Sequence, residues 1–69
     1  MPDKYIKNNY GMIIGYIKDI GNQLQAFHMQ KGYLGYYNKS SDITFKVAGG
    51  IYCYGDGLSD MIREAERNK

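Results

Sequence analysis

Short runs of alternating hydrophobic and polar residues fill the chain as far as residue 55. The clearest alternation is ITFKV at residues 43–47, in which Ile43, Phe45 and Val47 are expected to face the core. A helix over this region would carry glycine at many interior positions, each costing about 1 kcal/mol. The pattern therefore predicts short strands, which we place at residues 4–7, 12–18, 23–30, 33–37, 43–47 and 51–54.

Clusters of Gly, Asn, Asp and Ser separate these runs at intervals of about ten residues. Glycine adopts positive φ without steric cost, and Asn and Asp hydrogen-bond to the nearby backbone, so both favour tight turns. This rhythm is typical of an antiparallel all-β domain. We therefore predict a small antiparallel β-meander of hairpins, with its strands arranged either side by side or radially.

The last part of the chain has a different period. Leu58, Met61, Ile62 and Ala65 fall at i, i+3, i+4 and i+7, which is one face of an α-helix. Asp56 precedes this stripe and is a suitable N-cap. We expect a C-terminal amphipathic helix over about residues 57–67, which covers the apolar face of the sheet.

A Gly-Tyr motif recurs along the chain. GMIIGYI begins at Gly11, GYLGYY begins at Gly32, and GIYCYG begins at Gly50, with Cys53 in place of the inner glycine. We interpret these as hairpin units of residues 8–21, 26–42 and 44–57 within one domain of residues 1–69.

This pattern resembles the four-fold β-flower family of small bacterial and phage proteins, whose repeats read Asn-Gly-x-aliphatic-aliphatic-Gly-Tyr-Tyr. The resemblance covers roughly residues 8–62. The matching positions are Gly11, Gly15, Tyr16, Gly32, Gly35, Tyr36, Tyr37, Gly50, Gly57, Leu58 and Ile62. The chain departs from the pattern at Cys53, and in having one residue fewer between Gly32 and Gly35. The resemblance implies a hairpin fold in a bacterial or phage setting, without a common activity.

Composition narrows the classes of function. Nine Lys and Arg residues against seven Asp and Glu give a net charge of +2, which makes no strong case for a polyanionic partner. A single cysteine and a single histidine can form neither an internal disulfide nor a four-ligand zinc site. The lone thiol fits a reducing compartment, so we expect a cytoplasmic protein. No apolar run approaches the length of a membrane span. We expect no metal, no cofactor and no membrane partner.

The tyrosines are the candidate binding residues. The set comprises Tyr16, Tyr33, Tyr36, Tyr37, Tyr52 and Tyr54. Such residues commonly fill a half-buried sheet, and exposed ones form good protein interfaces at low entropic cost. With Lys18, Lys31 and Lys46 they could instead stack the bases of a single-stranded nucleic acid, which ranks lower because no basic stripe is present.

No catalytic cluster is evident. His28 and Cys53 are 25 residues apart and neither lies in a local motif. We expect Cys53 to act as a small hydrophobic residue and His28 to lie at a sheet edge. The sequence thus favours a non-enzymatic binding module for a protein or small ligand, such as a phage protein acting on a host factor. Nucleic-acid or nucleotide binding is the alternative. Because the chain is small, a homo-oligomer such as a homodimer is also expected.

Overall fold

The computed structural model describes residues 4–67, which form six strands and one helix. The elements are β1 (Lys4–Lys7), β2 (Ile13–Asp19), β3 (Gln23–His28), β4 (Gly32–Asn38), β5 (Ile43–Lys46), β6 (Ile51–Tyr54) and α1 (Leu58–Arg67). Every strand pairs antiparallel with its neighbour in the chain, so the sheet order is β1 to β6. The predicted meander with a C-terminal helix is confirmed, and the strands lie side by side in one open sheet. The ends of the predicted domain, residues 1–3 and 68–69, lie outside the described residues.

The three Gly-led segments adopt the same turn conformation. Gly11, Gly32 and Gly50 open the second strand of the β1–β2, β3–β4 and β5–β6 hairpins, with φ of 80°, 82° and 83°. L-residues with a Cβ rarely adopt such angles, and glycine adopts them readily. The opening glycine of the motif is therefore a turn residue, as the sequence indicated.

A β-bulge follows each of these turns. In each hairpin the register skips one residue of the second strand, leaving Ile14 in β2, Leu34 in β4 and Tyr52 in β6 without a Cα partner. Ile14 belongs to the buried core, and Leu34 and Tyr52 pack against it. The bulge thus supplies an additional side chain to the helix side of the sheet.

The core lies between the sheet and α1. Its buried apolar residues are Ile6, Ile14, Ile17, Ala26, Leu58, Met61 and Ile62. The helix packs mainly on the centre of the sheet, against β2, β3 and β4. Asp56 Oδ1 accepts a hydrogen bond of 3.1 Å from the Leu58 N–H, which confirms the predicted N-cap. At ten residues α1 is well short of a bilayer span, and the described chain holds no helix with the length and apolarity to cross one.

The inner glycines of the motif allow the helix to approach the sheet. A Cβ on Gly15 would lie 2.7 Å from Ile62 Cγ2, and one on Gly35 would lie 3.1 Å from Met61 Cε. In both cases it would also collide with a backbone carbonyl oxygen of the adjacent strand. These glycines have no positive φ, so close packing rather than turn formation requires them.

The expected orientation of β5 is wrong. Thr44 is fully buried on the helix side, whereas Ile43 and Phe45 project from the opposite face and Val47 lies beyond the strand, 56% exposed. The Thr44 hydroxyl donates to the Gly55 carbonyl at 2.6 Å and accepts from the Gly57 N–H at 3.0 Å. We call this pair of hydrogen bonds the bridge, and it joins β5 to the segment just before the helix. Thr44, a polar residue of the alternating run, therefore faces inward.

Replacing Gly35 with alanine is expected to lower the free energy of unfolding by about 2 kcal/mol, because the added methyl group would collide with the Phe45 carbonyl oxygen of β5 and also crowd Met61 of α1. Gly11→Asn is the matched control. No atom lies within 4 Å of a Cβ at Gly11, and asparagine tolerates positive φ, so we expect a loss below about 1 kcal/mol. Urea unfolding measures both. Equal losses would show that turn geometry, not helix packing, dominates the requirement for glycine.

Thr44→Val is expected to cost about 2–3 kcal/mol, because it removes the acceptor of the buried Gly57 N–H and leaves the part-buried Gly55 carbonyl with only the weak Cys53 thiol contact. Thr44→Ser keeps the hydroxyl and should cost only about 1 kcal/mol for the lost methyl group. Thermal and urea unfolding of the two variants measures this difference, which is the contribution of the Thr44 hydrogen bonds to the free energy of unfolding. A valine variant as stable as the serine variant would contradict the bridge.

Candidate functional site

The face of the sheet opposite α1 is covered by no part of residues 4–67. Side chains alternate between the two faces, and paired residues share a face. The register therefore assigns one set of apolar residues to the uncovered side. We call it the open face, and it comprises Tyr5, Ile13, Tyr16, Phe27, Tyr33, Tyr36, Ile43, Phe45, Ile51 and Tyr54.

A row of four aromatic residues crosses the first four strands. Tyr5 pairs with Tyr16, Tyr16 with Phe27, and Phe27 with Tyr33. The Tyr16 and Phe27 rings are stacked, with centroids 4.9 Å apart and planes at 11°. The Phe27 and Tyr33 rings follow at 5.4 Å and 40°. Cross-strand aromatic contacts of this kind stabilise the sheet and also hold the rings in fixed positions.

A second row continues across the remaining strands. Gln25 pairs with Tyr36, Tyr36 with Phe45, and Phe45 with Ile51. The Tyr36 and Phe45 rings are stacked, with centroids 5.2 Å apart. The two rows together form an apolar band that reaches from β1 to β6, with Gln25 near its middle.

Ring stacking decides which part of each aromatic group a partner can reach. Tyr16 and Phe27 use ring faces against each other, as do Tyr36 and Phe45. Stacking therefore covers one face of each of these four rings. The band is thus better suited to side-chain packing than to stacking of flat ligands on exposed ring faces.

The charged residues are distributed unevenly between the two sides. Within residues 4–67, the strand positions on the open-face side carry Lys7 and Lys18 and no Asp or Glu. Asp19 lies at the end of β2 on the helix-side register, 3.1 Å from Lys39 Nζ. Hydrogen bonds from the Gly21 N–H and from Lys39 lower the pKa of its carboxyl group.

The structure divides the tyrosines that the sequence singled out. Tyr16, Tyr33, Tyr36 and Tyr54 share the open face. Tyr37 and Tyr52 lie on the helix side. Four of the six predicted binding residues thus form one surface, and the other two belong to the packing beneath the helix.

The two helix-side tyrosines are held by carboxylates. The Tyr37 hydroxyl donates to Asp42 Oδ1 at 2.5 Å, and this hydrogen bond raises the pKa of Tyr37. The Tyr52 hydroxyl donates to Glu64 Oε2 at 3.3 Å. Burial raises the pKa of Tyr52, and the charge of Glu64 adds to the effect. These two hydrogen bonds give Tyr37 and Tyr52 a structural role.

Three open-face aromatic residues escaped the sequence reasoning. Tyr5, Phe27 and Phe45 carry the rows together with the predicted tyrosines, yet none belongs to a Gly-Tyr motif. The signal that could have found them is the register, because each is the cross-strand neighbour of a motif tyrosine, Tyr16 or Tyr36.

His28 is not at a sheet edge as expected. It lies in β3, an interior strand, and is 2% exposed. Its Nδ1 accepts hydrogen bonds from the N–H groups of Gln30 and Lys31 at 3.1 Å, so Nε2 carries the proton and donates to Glu66 Oε1 at 3.0 Å. The imidazole thereby ties the β3–β4 turn to the last turn of α1.

His28 and Cys53 are not brought together. Cys53 lies in β6, three strands from β3, which corresponds to a separation of about 14 Å. A nucleophile and its base must be within hydrogen-bond reach. The two side chains therefore do not form such a pair in this fold.

Three shallow depressions lie beside the helix. One is bounded by Lys31, Lys46, Tyr52 and Met61, and the other two lie near Asn8 and Glu66. Ile13 is the one open-face residue among those that line them, and none of the open-face aromatic residues does so. The concave features and the aromatic band are thus on different sides of the molecule.

Comparison with known proteins returns no match among family models, curated proteins or solved structures. The resemblance to the four-fold β-flower family therefore stays a prediction, and the open face is described from the geometry of this chain.

Alkaline pH is expected to destabilise the protein through Tyr37. Its folded pKa lies above the unfolded value of about 10, so its contribution is fully present below pH 10 and is lost as the pH rises through the folded pKa. Urea unfolding between neutral and alkaline pH should show the free energy of unfolding falling above pH 10. Tyr37→Phe and Asp42→Asn should both make that fall shallower. If the free energy of unfolding falls equally steeply with pH in the unmodified chain and in both variants, the Tyr37–Asp42 contact is not a source of the pH dependence.

Proposed function

We propose that this chain is a non-enzymatic binding module that holds a protein partner on its open face. The observation that supports the proposal is the band of stacked aromatic side chains across the uncovered side of the sheet. Tyr33, Ile51, Tyr5 and Tyr54 are 36%, 47%, 51% and 78% exposed. A contiguous apolar patch of this extent is uncommon on a monomer and marks an interaction site.

The composition of the patch is that of a protein interface. Aromatic residues are enriched at the centres of interfaces and carboxylates are depleted there. The open face has both properties. Its rings are also restrained by one another, so a partner immobilises little additional side-chain freedom on binding.

A protein partner fits the surface better than a small ligand does. Small-molecule sites are concave and bury most of the ligand. The depressions described above are shallow and lie beside the helix, where Tyr52 is the one candidate tyrosine that lines them. A broad band across six strands matches a macromolecular surface instead.

Nucleic-acid binding is the second candidate, and Lys7 and Lys18 favour it. Two lysines without a carboxylate on the same side could contact phosphates beside the aromatic rows. It ranks second because base stacking requires exposed ring faces, and the rings of Tyr16, Phe27, Tyr36 and Phe45 are stacked on one another.

The resemblance stated above suggests a setting. A bacterial or phage protein that binds a host protein in the cytoplasm is the specific form we propose. The lone thiol Cys53 is consistent with a reducing compartment.

A photo-crosslinking amino acid at position 54 tests the proposal, because Tyr54 lies on the open face and is exposed enough to replace without disturbing the core. In extract from the producing cells, we expect crosslinks to a defined protein. Excess unlabelled chain should abolish them. A Tyr33→Asp competitor should be about thirtyfold weaker, since a central aromatic contact contributes about 2 kcal/mol.

The control places the same crosslinker at Arg63 on the exposed side of α1. Equal products from both positions, or a Tyr33→Asp competitor as effective as the unmodified chain, would contradict binding by the open face. Crosslinks to nucleic acid that weaken steeply with salt would favour the second candidate.

A further inference from the structure

We infer that the occupant of the open face is a second copy of this chain, which packs face to face to form a symmetric β-sandwich dimer. The inference rests on the proposed function and assigns the open face to a second copy of the chain in place of a host protein. Sheets in such sandwiches lie about 10 Å apart, with the side chains of their inner faces interdigitated. Each copy would then have α1 on the outside and the aromatic band within a shared core.

The dimensions of the molecule suit this arrangement. Its Cα atoms extend over 34 × 25 × 17 Å, and the shortest dimension corresponds to one sheet with one helix layer. The broad side is thus about 850 Å² in projection, large enough to carry an interface of standard size, in which each partner buries about 800 Å² of accessible surface. A second copy with the same footprint would cover the whole band.

The one-sided core gives a physical reason for self-association. The buried apolar residues of the described chain all belong to the helix side of the sheet or to α1 itself. A chain of 69 residues buries only about 60% of the surface that its unfolded form exposes, less than a larger domain does, and oligomerisation is a common source of additional stability at this size. Covering the aromatic rows would give the sheet a second apolar layer.

Gln25 supports a copy of the same chain over an unrelated partner. It lies near the middle of the band, next to Tyr36 in the second row. Its amide group contains both a donor and an acceptor, so it can hydrogen-bond to its own symmetry mate. A Lys or Glu at this position would meet a like charge across a two-fold axis.

The lysines are compatible with the same symmetry. A two-fold axis that runs along the strands between β3 and β4 places β2 of one copy over β5 of the other. Lys18 in β2 would then approach the Phe45 ring of the second copy, a favourable cation–aromatic contact, and would be remote from its own mate. The absence of carboxylates at strand positions on this side within residues 4–67 leaves no buried anion to be neutralised.

Sedimentation equilibrium on the whole chain at micromolar concentrations tests the inference. We expect a dimer. Gln25→Glu should raise its dissociation constant at least about tenfold, because two carboxylates would meet near the axis. Gln23→Glu is the matched control. It has the same chemistry on the same strand and face and is as near to the axis, but it lies at the rim, where solvent screens the two carboxylates, and it should change the constant less than about threefold. Circular dichroism confirms that both variants are folded.

A wild-type chain that remains monomeric would overturn the inference, and so would a dimer that Gln25→Glu leaves unchanged. The binding function is judged separately by the crosslinks from position 54. Monomeric chain that still forms saturable crosslinks to another protein means that the second-copy inference has failed and the proposed function stands. If the chain is monomeric and also forms no saturable crosslinks from position 54, the open face is not a binding surface.

Discussion

The close approach of α1 to the sheet determines which side of this protein can interact. The helix lies near Gly15 and Gly35, where a side chain would meet Ile62 or Met61. One short helix can cover only one side of a six-stranded sheet. Because the glycines fix that side, the aromatic residues on the other side are left without cover. The uncovered aromatic surface is therefore a consequence of where the helix can pack.

The bulges then fix which residues reach each side. In the β1–β2, β3–β4 and β5–β6 hairpins an additional residue is inserted just before the inner small residue, Gly15, Gly35 or Cys53. A residue added to a strand shifts the alternation of all that follow it. The tyrosines that come next, Tyr16, Tyr36 and Tyr54, are thereby directed to the open face. The Gly-Tyr motif thus combines a turn, a helix-side position and an open-face tyrosine in one short segment.

The sequence predicts the elements well, because their signals are local. Strand rhythm, the apolar stripe of α1 and the Asp56 cap all depend on neighbouring residues. The facing of β5 depends on a distant contact, since the Thr44 hydroxyl bonds to the backbone at Gly55 and Gly57. Alternation shows that the two sides of a strand differ and does not show which side the helix takes.

Only part of the candidate site can be predicted from the sequence, because the rest also depends on contacts between distant residues. Motif tyrosines were visible as a repeated pattern, whereas Phe27 and Phe45 join the surface through the register, which the bulges shift. Tyr37 was grouped with Tyr36 because they are adjacent in the sequence, but adjacency in a strand places two residues on opposite sides. His28 carried no sequence signal for its bond to Glu66, which is 38 residues away.

The order of elements along the chain has a kinetic consequence. Each strand pairs with the one before it, so the sheet can grow hairpin by hairpin from local contacts, which favours rapid folding. The helix follows all six strands. During synthesis, both sides of the nascent sheet are therefore bare until α1 emerges from the ribosome. In that interval the chain exposes its greatest apolar area, and it is then that chaperones and premature association would compete with correct folding.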